Sequence, residues 1–139
     1  NLTEAAFLLG RKPVLEGYDR AFVEETVAGL HALGAKNVVL TGVSFEEGKL
    51  GAACMGADGV MHCYFSERLP GAYHGTGDVF ASAFCGALLN GLTIEKSMSI
   101  AVNYVCDCIK RTQAMDDPIK YGVDFERGIP MLLKELELI

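Results

Sequence analysis

The segment YHGTGDVFASAF, at positions 73 to 84, combines two glycines and a carboxylate at the start of an apolar helix. Gly75, Thr76 and Gly77 would present unpaired backbone N–H groups at a helix N-terminus, where the helix dipole adds partial positive charge. Such a turn is suited to binding a phosphate group. Asp78 could then accept the proton of an acceptor hydroxyl while the N–H groups stabilise a transferring phosphoryl group.

Asp78 also has a purely structural interpretation. A carboxylate in the first turn of a helix stabilises that helix by about 0.3–1 kcal/mol without any catalytic function. The four letters GTGD alone favour neither interpretation. Among the histidines, His31 is expected on a helix surface and His62 on a hairpin strand, whereas His74 directly precedes the motif. Only His74 is therefore placed to contact a ligand, although positioning the loop is its more common role.

A second candidate site lies in the opening residues, NLTE. Asn1 and Glu4 are three residues apart and share a face if the segment is helical, so an amide and a carboxylate could hold a water molecule or a magnesium ion. A solvated helix start is the common structural alternative. Thr41 and Gly42 follow an apolar strand, and such a pair is usually a strand-to-loop turn. Ligands nevertheless collect at the carboxyl ends of strands in open α/β sheets.

Hydrophobic periodicity and capping residues predict the elements that position these groups. Thr3 is a favourable N-cap for a short first helix, and the dipeptide Asp58-Gly59 is typical of a tight antiparallel hairpin. The segment NVVLTG has the apolar run of a buried strand. In chain order, the sequence predicts helices at 3–9, 19–33, 76–90, 94–111 and 125–138, with three strands between the second and third helices.

The composition excludes several classes of protein. The chain has 139 residues, of which half are hydrophobic and 22% are charged, as in one folded domain and not in a disordered tail. No apolar run approaches the roughly 20 residues that span a bilayer, so no membrane partner is expected. The net charge of −6 argues against a nucleic-acid surface.

The five cysteines are odd in number and form no CxxC pair. They are interpreted as reduced core residues of a cytoplasmic protein. Cys106 and Cys108 are two residues apart on a predicted helix and face different ways, which makes a shared metal site an unfavourable interpretation.

Three strands among five helices offer too little sheet for the helices to cover. We therefore expect the chain to be the C-terminal half of a larger α/β protein. The motifs NLTE, NVVLTGV, HGTGDVFASAF and YGVDFE occur in the order and approximate spacing of the second half of ribokinase-like small-molecule kinases. The chain most resembles the pyridoxal/pyridoxamine kinase branch, and the resemblance covers essentially all residues.

The resemblance implies the C-terminal, ATP-binding half of a three-layer α/β/α sandwich with a mostly parallel sheet and an antiparallel hairpin. It implies transfer of the γ-phosphoryl group of MgATP to the hydroxymethyl group of a vitamin B6 vitamer, and a homodimer for the full-length protein. Asp78 matches the family's catalytic base, and the backbone of residues 75–77 matches its anion hole. The nucleotide and Mg²⁺ are assigned to the following residues, with Glu4 as the metal-associated carboxylate: Asn1, Glu4, Thr41, Gly42 and Asn103.

Other assignments remain open. The related hydroxymethylpyrimidine phosphate kinases resemble the chain too, but they typically carry cysteine where this chain has Asp78. A sugar or nucleoside kinase, and a nucleotide-binding module without catalysis, are further alternatives. Members of the resembling family are about twice as long, and their N-terminal half supplies most of the acceptor pocket. The 139-residue chain alone is therefore expected to be inactive.

Overall fold

The computed structural model describes residues 1–118 and 121–139. Its contacts divide the chain into two compact units, Asn1–Phe65 and Ser66–Ile139. The expected single domain stays a prediction, and each unit is described by itself. The elements are α1 (Leu2–Leu8), α2 (Arg20–Ala32), β1 (Val38–Val43), β2 (Lys49–Met55), β3 (Met61–Glu67), α3 (Thr76–Leu89), α4 (Ile94–Gln113), a 3₁₀ helix (Glu126–Gly128) and α5 (Ile129–Glu135).

The first unit places α1 and α2 against a small antiparallel sheet with the strand order β1-β2-β3. Val38 pairs with Met55 and Leu40 pairs with Ala53, which fixes the register of β1 and β2. The expected hairpin around Gly59 is confirmed, because this glycine has a φ of 70° between β2 and β3. The parallel pairing implied by the resemblance is not made among the described strands, which follow one another directly in the chain.

The amphipathic pattern of α2 is confirmed. Its N-cap is Asp19, whose side chain accepts a hydrogen bond from the backbone of Phe22. Val23 and Val27 are completely buried in the core of the first unit. The helix therefore contributes the apolar stripe that the sequence predicts, and the core around it consists of Leu2, Ala5, Val23, Val27, Val38, Leu40, Val43, Ala53, Met55 and Met61.

Two expectations in the first unit need correction. The N-cap of α1 is Asn1 and not Thr3, because the spacing from Asn1 to Glu4 forms a complete capping box that Thr3 could not form. The strand β1 does not end at Gly42 but continues to Val43, with a register irregularity between Thr41 and Val43. Gly42, at a φ of 74°, therefore lies in a bulge within the strand and not in a turn after it.

The second unit is built on α3 and α4, which pack along each other. The side chain of Thr93 caps α4, and Gly91 lies just beyond the C-cap of α3 at a φ of 85°. The predicted last helix is divided into the 3₁₀ helix and α5, and Pro130 lies in the first turn of α5, where its missing N–H is tolerated. The helix boundaries thus follow the capping residues.

The cysteines are only partly core residues. None of the five is in a disulfide, and Cys54 and Cys108 are buried. Cys85 is exposed on α3, so its interpretation as a core residue is wrong, because the buried stripe of this helix is formed by Phe80, Ala83 and Ala87. Within residues 1–118 and 121–139, no helix combines the length and the apolar character required to cross a bilayer.

Gly51 is the glycine on which the packing of the sheet depends most clearly. A Cβ atom at this position would overlap the carbonyl oxygen of Tyr64 and lie 2.8 Å from the Cα atom of Phe65. We expect Gly51→Ala to destabilise the protein by about 1–3 kcal/mol or more, because two backbones would have to separate. Denaturant unfolding measures this change.

Gly86→Ala is the matched control, since a Cβ there meets no atom within 4 Å and the site is inside α3. This variant should be as stable as the wild type or more stable by about 0.5–1 kcal/mol. Equal stability of the two variants would contradict the close approach of β3 to Gly51.

Candidate active site

The glycine turn at the start of α3 has the geometry of an open helix N-terminus. Gly75 is the N-cap residue, with a φ of 78° in the left-handed region, and it provides no side-chain cap. The first backbone bond of the helix runs from the Val79 N–H to the Gly75 carbonyl over 3.0 Å. The hydroxyl of Thr76 donates to the Tyr73 carbonyl at 3.3 Å and so holds the approaching loop. Hydrogen bonds therefore hold both the loop before Gly75 and the first helical turn after it.

This geometry leaves the first-turn N–H groups of Thr76, Gly77 and Asp78 without a side-chain acceptor from the N-cap. Gly77 adds free space, because a Cβ there would have no neighbour within 4 Å. Its φ is not in the left-handed region, so neither the backbone nor packing requires glycine at this position. The space next to the N–H groups is therefore open to a ligand.

The side chain of Asp78 is exposed in the first turn of α3. It makes no hydrogen bond or ion pair with any residue that the structure describes. Asp78 therefore does not cap α3 through a side-chain bond. Its carboxylate is free to accept a proton or hydrogen bond from a ligand, although its charge also suits the positive end of the helix dipole.

A pocket of about 650 Å³ adjoins this turn, and its volume lies in the range of small-molecule sites. One wall is the face of α3 that carries Asp78, Val79, Ala83 and Gly86. The opposite wall combines Tyr104 of α4, residues 121–123, 125 and 126, and apolar side chains of α5 and its C-cap, which are Ile129, Leu132 and Leu136. The pocket is thus largely apolar and has a carboxylate next to the glycine turn.

Three side chains of α4 hold the opposite wall in place. Thr112 Oγ1 accepts a hydrogen bond from the Asp124 backbone at 2.8 Å and donates one to the Cys108 carbonyl at 2.8 Å. The hydroxyl of Tyr104 donates to the Phe125 carbonyl at 2.6 Å, and Arg111 Nε approaches the Asp124 carbonyl at 3.5 Å. The backbone of this wall is therefore positioned by side chains and not by a sheet.

Gly128 allows the wall to approach α4 closely. A Cβ at this glycine would lie 2.9 Å from Tyr104 Cε2 and would overlap the guanidinium of Arg111. Arg111 is itself paired with Asp107 one turn earlier in α4. Burial raises the pKa of the Tyr104 hydroxyl to about 12. At neutral pH this hydroxyl therefore keeps its proton and remains a donor.

The nucleotide-binding residues assigned from the sequence are divided between the units. Asn1 and Glu4 form the capping box of α1, with Glu4 N–H to Asn1 Oδ1 at 3.1 Å and the Asn1 backbone nitrogen to Glu4 Oε2 at 2.7 Å. Thr41 and Gly42 lie in β1, whereas Asn103 is an exposed residue of α4 that does not line the described pocket. In residues 1–118 and 121–139, no group of three or more His, Cys, Asp or Glu side chains could hold a metal ion.

The histidines differ in their positions. His74 lines the pocket, and its ring centroid lies 6.5 Å from that of Tyr121. His62 lies on β3 as expected. His31 is half-buried in α2, with its Nε2 atom buried, so the expectation of a simple surface residue is wrong.

Sequence reasoning did not find Tyr104, Tyr121 or Glu126, all of which line the pocket. Tyr104 is indistinguishable from a core residue in a helical pattern. The other two are the first and last residues of YGVDFE, a motif that supports the family resemblance without indicating which of its side chains line a pocket.

Tyr104→Phe tests the attachment of this wall to α4. We expect a loss of about 1–2 kcal/mol at neutral pH, because the Phe125 carbonyl loses its donor. The folded-state pKa of about 12 is above the ordinary value of 10.0. The contribution of the protonated Tyr104 hydroxyl to the free energy of unfolding is therefore complete below pH 10 and is lost as the pH rises to 12. Over this interval, the free energy of unfolding should fall more steeply for the wild type than for Tyr104→Phe.

Denaturant unfolding at pH 8, 10 and 11 measures both effects. Tyr121→Phe is the matched control, since Tyr121 is 83% exposed and its variant should behave as the wild type. Parallel pH profiles for wild type and Tyr104→Phe would contradict the buried hydrogen bond.

Comparison with known proteins identifies the family of the chain. The model of the phosphomethylpyrimidine kinase family matches residues 1–121. No curated protein sequence gives a significant match.

Solved structures show the same relationship. A pyridoxal kinase from Lactobacillus plantarum is 27% identical, with a TM-score of 0.81, and the match covers 96% of this chain and 48% of that one. A protein from Bacteroides thetaiotaomicron, described as a phosphomethylpyrimidine kinase in a crystal form with pyridoxal, is 25% identical with a TM-score of 0.84 and coverages of 95% and 47%. The fold is also that of a Staphylococcus aureus pyridoxal kinase in complex with AMP-PCP and pyridoxal, at 22% identity, a TM-score of 0.73 and coverages of 90% and 45%.

The chain thus spans a little under half the length of the solved proteins that it matches. Its α/β fold is shared with ribokinase-like kinases. On the match over residues 1–121, the chain belongs to the phosphomethylpyrimidine kinase family.

Proposed function

We propose that this chain is the ATP-binding half of a kinase that phosphorylates the hydroxymethyl group of pyridoxal, pyridoxamine or pyridoxine. The observation that carries the proposal is the turn at Gly75–Asp78, where open N–H groups lie beside a carboxylate that pairs with no residue the structure describes. The Staphylococcus aureus pyridoxal kinase in complex with AMP-PCP and pyridoxal, which shares the fold, supports an ATP-dependent reaction on such a ring.

In the proposed reaction, Asp78 accepts the proton of the acceptor hydroxyl as the hydroxyl oxygen bonds to the γ-phosphorus of ATP. The bond from that phosphorus to the bridging oxygen breaks, and ADP leaves. The N–H groups of Thr76 and Gly77 donate to the oxygens of the transferring group, so negative charge is stabilised where it is concentrated. The free space at Gly77 supports this role, since the phosphoryl group must approach the backbone closely.

Glu4 is the residue that we assign to Mg²⁺, and four other residues are assigned to the nucleotide. Glu4 has one carboxylate oxygen bonded to the Asn1 backbone nitrogen in the capping box, which leaves the other oxygen available. A single carboxylate with water and phosphates as the remaining ligands fits Mg²⁺, which would neutralise phosphate charge when bound. We assign Asn1 to the Mg²⁺ and phosphate region beside Glu4. Thr41 and Gly42 are assigned to the phosphate side of the nucleotide, and Asn103 to its adenine side. The homodimer and the cytoplasmic location remain predictions.

A phosphorylated hydroxymethylpyrimidine is the second candidate acceptor, because the matching family is named for it. Asp78 supports the vitamin B6 assignment, since the resemblance associates cysteine at this position with the pyrimidine kinases. A nucleotide-binding module without catalysis would not need a proton-accepting carboxylate at Asp78. A sugar or nucleoside kinase would use the same base, so comparing kcat/KM for B6 vitamers, sugars and nucleosides separates it from the proposed function.

Asp78→Asn in the full-length protein separates the catalytic from the structural interpretation. The change keeps an oxygen acceptor but removes the proton-accepting carboxylate. If Asp78 is the base, kcat should fall about 100- to 10,000-fold, equivalent to roughly 3–5 kcal/mol of barrier. The Kd for MgATP and the melting temperature should change little. Steady-state kinetics, nucleotide titration and thermal unfolding measure the three quantities.

Glu95→Gln is the matched control, because it removes a first-turn carboxylate from α4, outside the pocket. Its kcat should remain within a few-fold of the wild type. A near-normal kcat for Asp78→Asn would refute the catalytic assignment, and a loss of the same size in Glu95→Gln would show that the rate follows helix stability instead.

The activity of the isolated 139-residue chain provides a second test. We expect MgATP binding without useful phosphoryl transfer, because catalysis requires both reactants to be held in attack geometry and the chain spans under half of its solved relatives. Nucleotide titration and a product assay on the chain and on the full-length protein make the comparison. Rapid phosphorylation of pyridoxal by the chain alone would contradict this division of roles.

A further inference from the structure

A bulge interrupts β1 one residue before the strand ends. Thr41 and Val43 pair with consecutive residues of β2, so Gly42 between them is the extra residue of the bulge. Such a bulge disrupts the ladder of hydrogen bonds and bends the strand. Gly42 is exposed, and a Cβ there would meet no atom within 4 Å. The bulge therefore borders open space, and pairing with β2 does not by itself set the direction of the chain that follows.

Tyr18 supplies a hydrogen bond to the first residue after β1. The Ser44 backbone N–H donates to the Tyr18 hydroxyl over 3.0 Å, two residues beyond Gly42. The Ser44 hydroxyl in turn donates to the Glu46 carbonyl at 3.0 Å, within the loop of residues 44–48. This loop, which connects β1 to β2, is thus held at its first residue by a side chain from the segment before α2.

Aromatic contacts fix the ring that carries this hydroxyl. The Tyr18 ring centroid lies 5.8 Å from that of Phe22 on α2 and 6.4 Å from that of Phe45 in the loop. Phe45 also packs edge-on against Phe65 of β3, with centroids 5.4 Å apart. All three distances are in the range of favourable aromatic pairs. Moving the hydroxyl away from Ser44 would require the Tyr18 ring to leave these contacts.

We propose that Tyr18 is a positioning residue for the nucleotide and acts through the loop that begins at Ser44. The inference rests on the proposed function, in which Thr41 and Gly42 lie on the phosphate side of ATP. The Tyr18 hydroxyl keeps the backbone after the bulge in the direction that leaves the space beside Gly42 open. A nucleotide bound at the bulge then meets a surface that is already ordered, so less of its binding free energy is spent on ordering the loop.

Tyr18→Phe in the full-length protein removes the hydroxyl and keeps the ring. We expect the Kd and the KM for MgATP to rise about three- to tenfold, as for the loss of one hydrogen bond. The kcat and the KM for the acceptor should stay within about twofold of the wild type, because the proposed chemistry takes place at Asp78. Calorimetric titration with MgATP and steady-state kinetics measure these quantities. A merely less stable protein would not show a rise confined to the nucleotide.

Thr26→Val is the matched control, because it also removes one hydroxyl hydrogen bond from the first unit. The Thr26 side chain is buried and donates to the Phe22 carbonyl at 2.8 Å, within α2. This variant should leave the Kd for MgATP unchanged, whatever its effect on the melting temperature.

Three results would overturn the inference: an unchanged Kd for MgATP in Tyr18→Phe, an equal rise in Thr26→Val, or a fall in kcat that exceeds the rise in KM. If the wild type phosphorylates pyridoxal, any of these results refutes the inference alone. If the wild type binds MgATP but transfers no phosphate, the proposed function fails, whereas a higher Kd confined to Tyr18→Phe still supports the positioning role. A wild type that binds no MgATP would refute both.

Discussion

The backbone enters α3 through the left-handed conformation of Gly75, and the geometry of the candidate site depends on this turn. A residue with a side chain would resist that conformation by about 1–2 kcal/mol. Glycine also offers no oxygen to the first-turn N–H groups. The side chains of Asn1, Asp19 and Thr93 cap α1, α2 and α4, respectively, and such caps typically contribute about 1 kcal/mol. At α3 that stabilisation is absent, and the N–H groups remain available to an anion.

The opposite wall of the pocket is an irregular backbone segment that no sheet holds in place. The segment from Val123 to Gly128 takes its partners from α4, where Arg111 and Thr112 lie about two helical turns after Tyr104. Buried backbone groups need such partners, because an unpaired one costs about as much as a lost hydrogen bond. The position of Glu126 and of the apolar residues after it thus follows from polar contacts beneath them.

The sequence predicts the elements well where a single local rule decides the structure. The stripe at Val23 and Val27, the hairpin at Gly59 and the start of α3 at Thr76 all follow from periodicity or turn chemistry. The prediction is wrong at Thr3 because the capping box depends on the pair Asn1 and Glu4 and not on the most favourable single residue. The prediction is also wrong at Gly42, because glycine is common both in β-bulges and in turns. Only the pairing of β1 with β2 shows that Gly42 lies in a bulge.

The candidate site is predictable only in part for the same reason. GTGD is contiguous, so its residues meet in one turn whatever the rest of the chain does. Tyr104 and Glu126 are 22 positions apart and line the same pocket because the Tyr104 hydroxyl binds the Phe125 carbonyl, a contact that no local pattern encodes. Functional groups that lie within one turn can therefore be predicted from the sequence, whereas the shape and charge of the pocket can be described only from the tertiary structure.

The central claim is that the open N-terminus of α3 binds the transferring phosphoryl group. Backbone amide chemical shifts of the ¹⁵N-labelled full-length protein, recorded during titration with the Mg²⁺ complex of a non-hydrolysable ATP analogue, test it most directly. The account predicts large, saturable shifts at the amides of Thr76, Gly77 and Asp78, whereas the capped first turn of α4 should remain unchanged. Saturable nucleotide binding that leaves those three amides unshifted would contradict it.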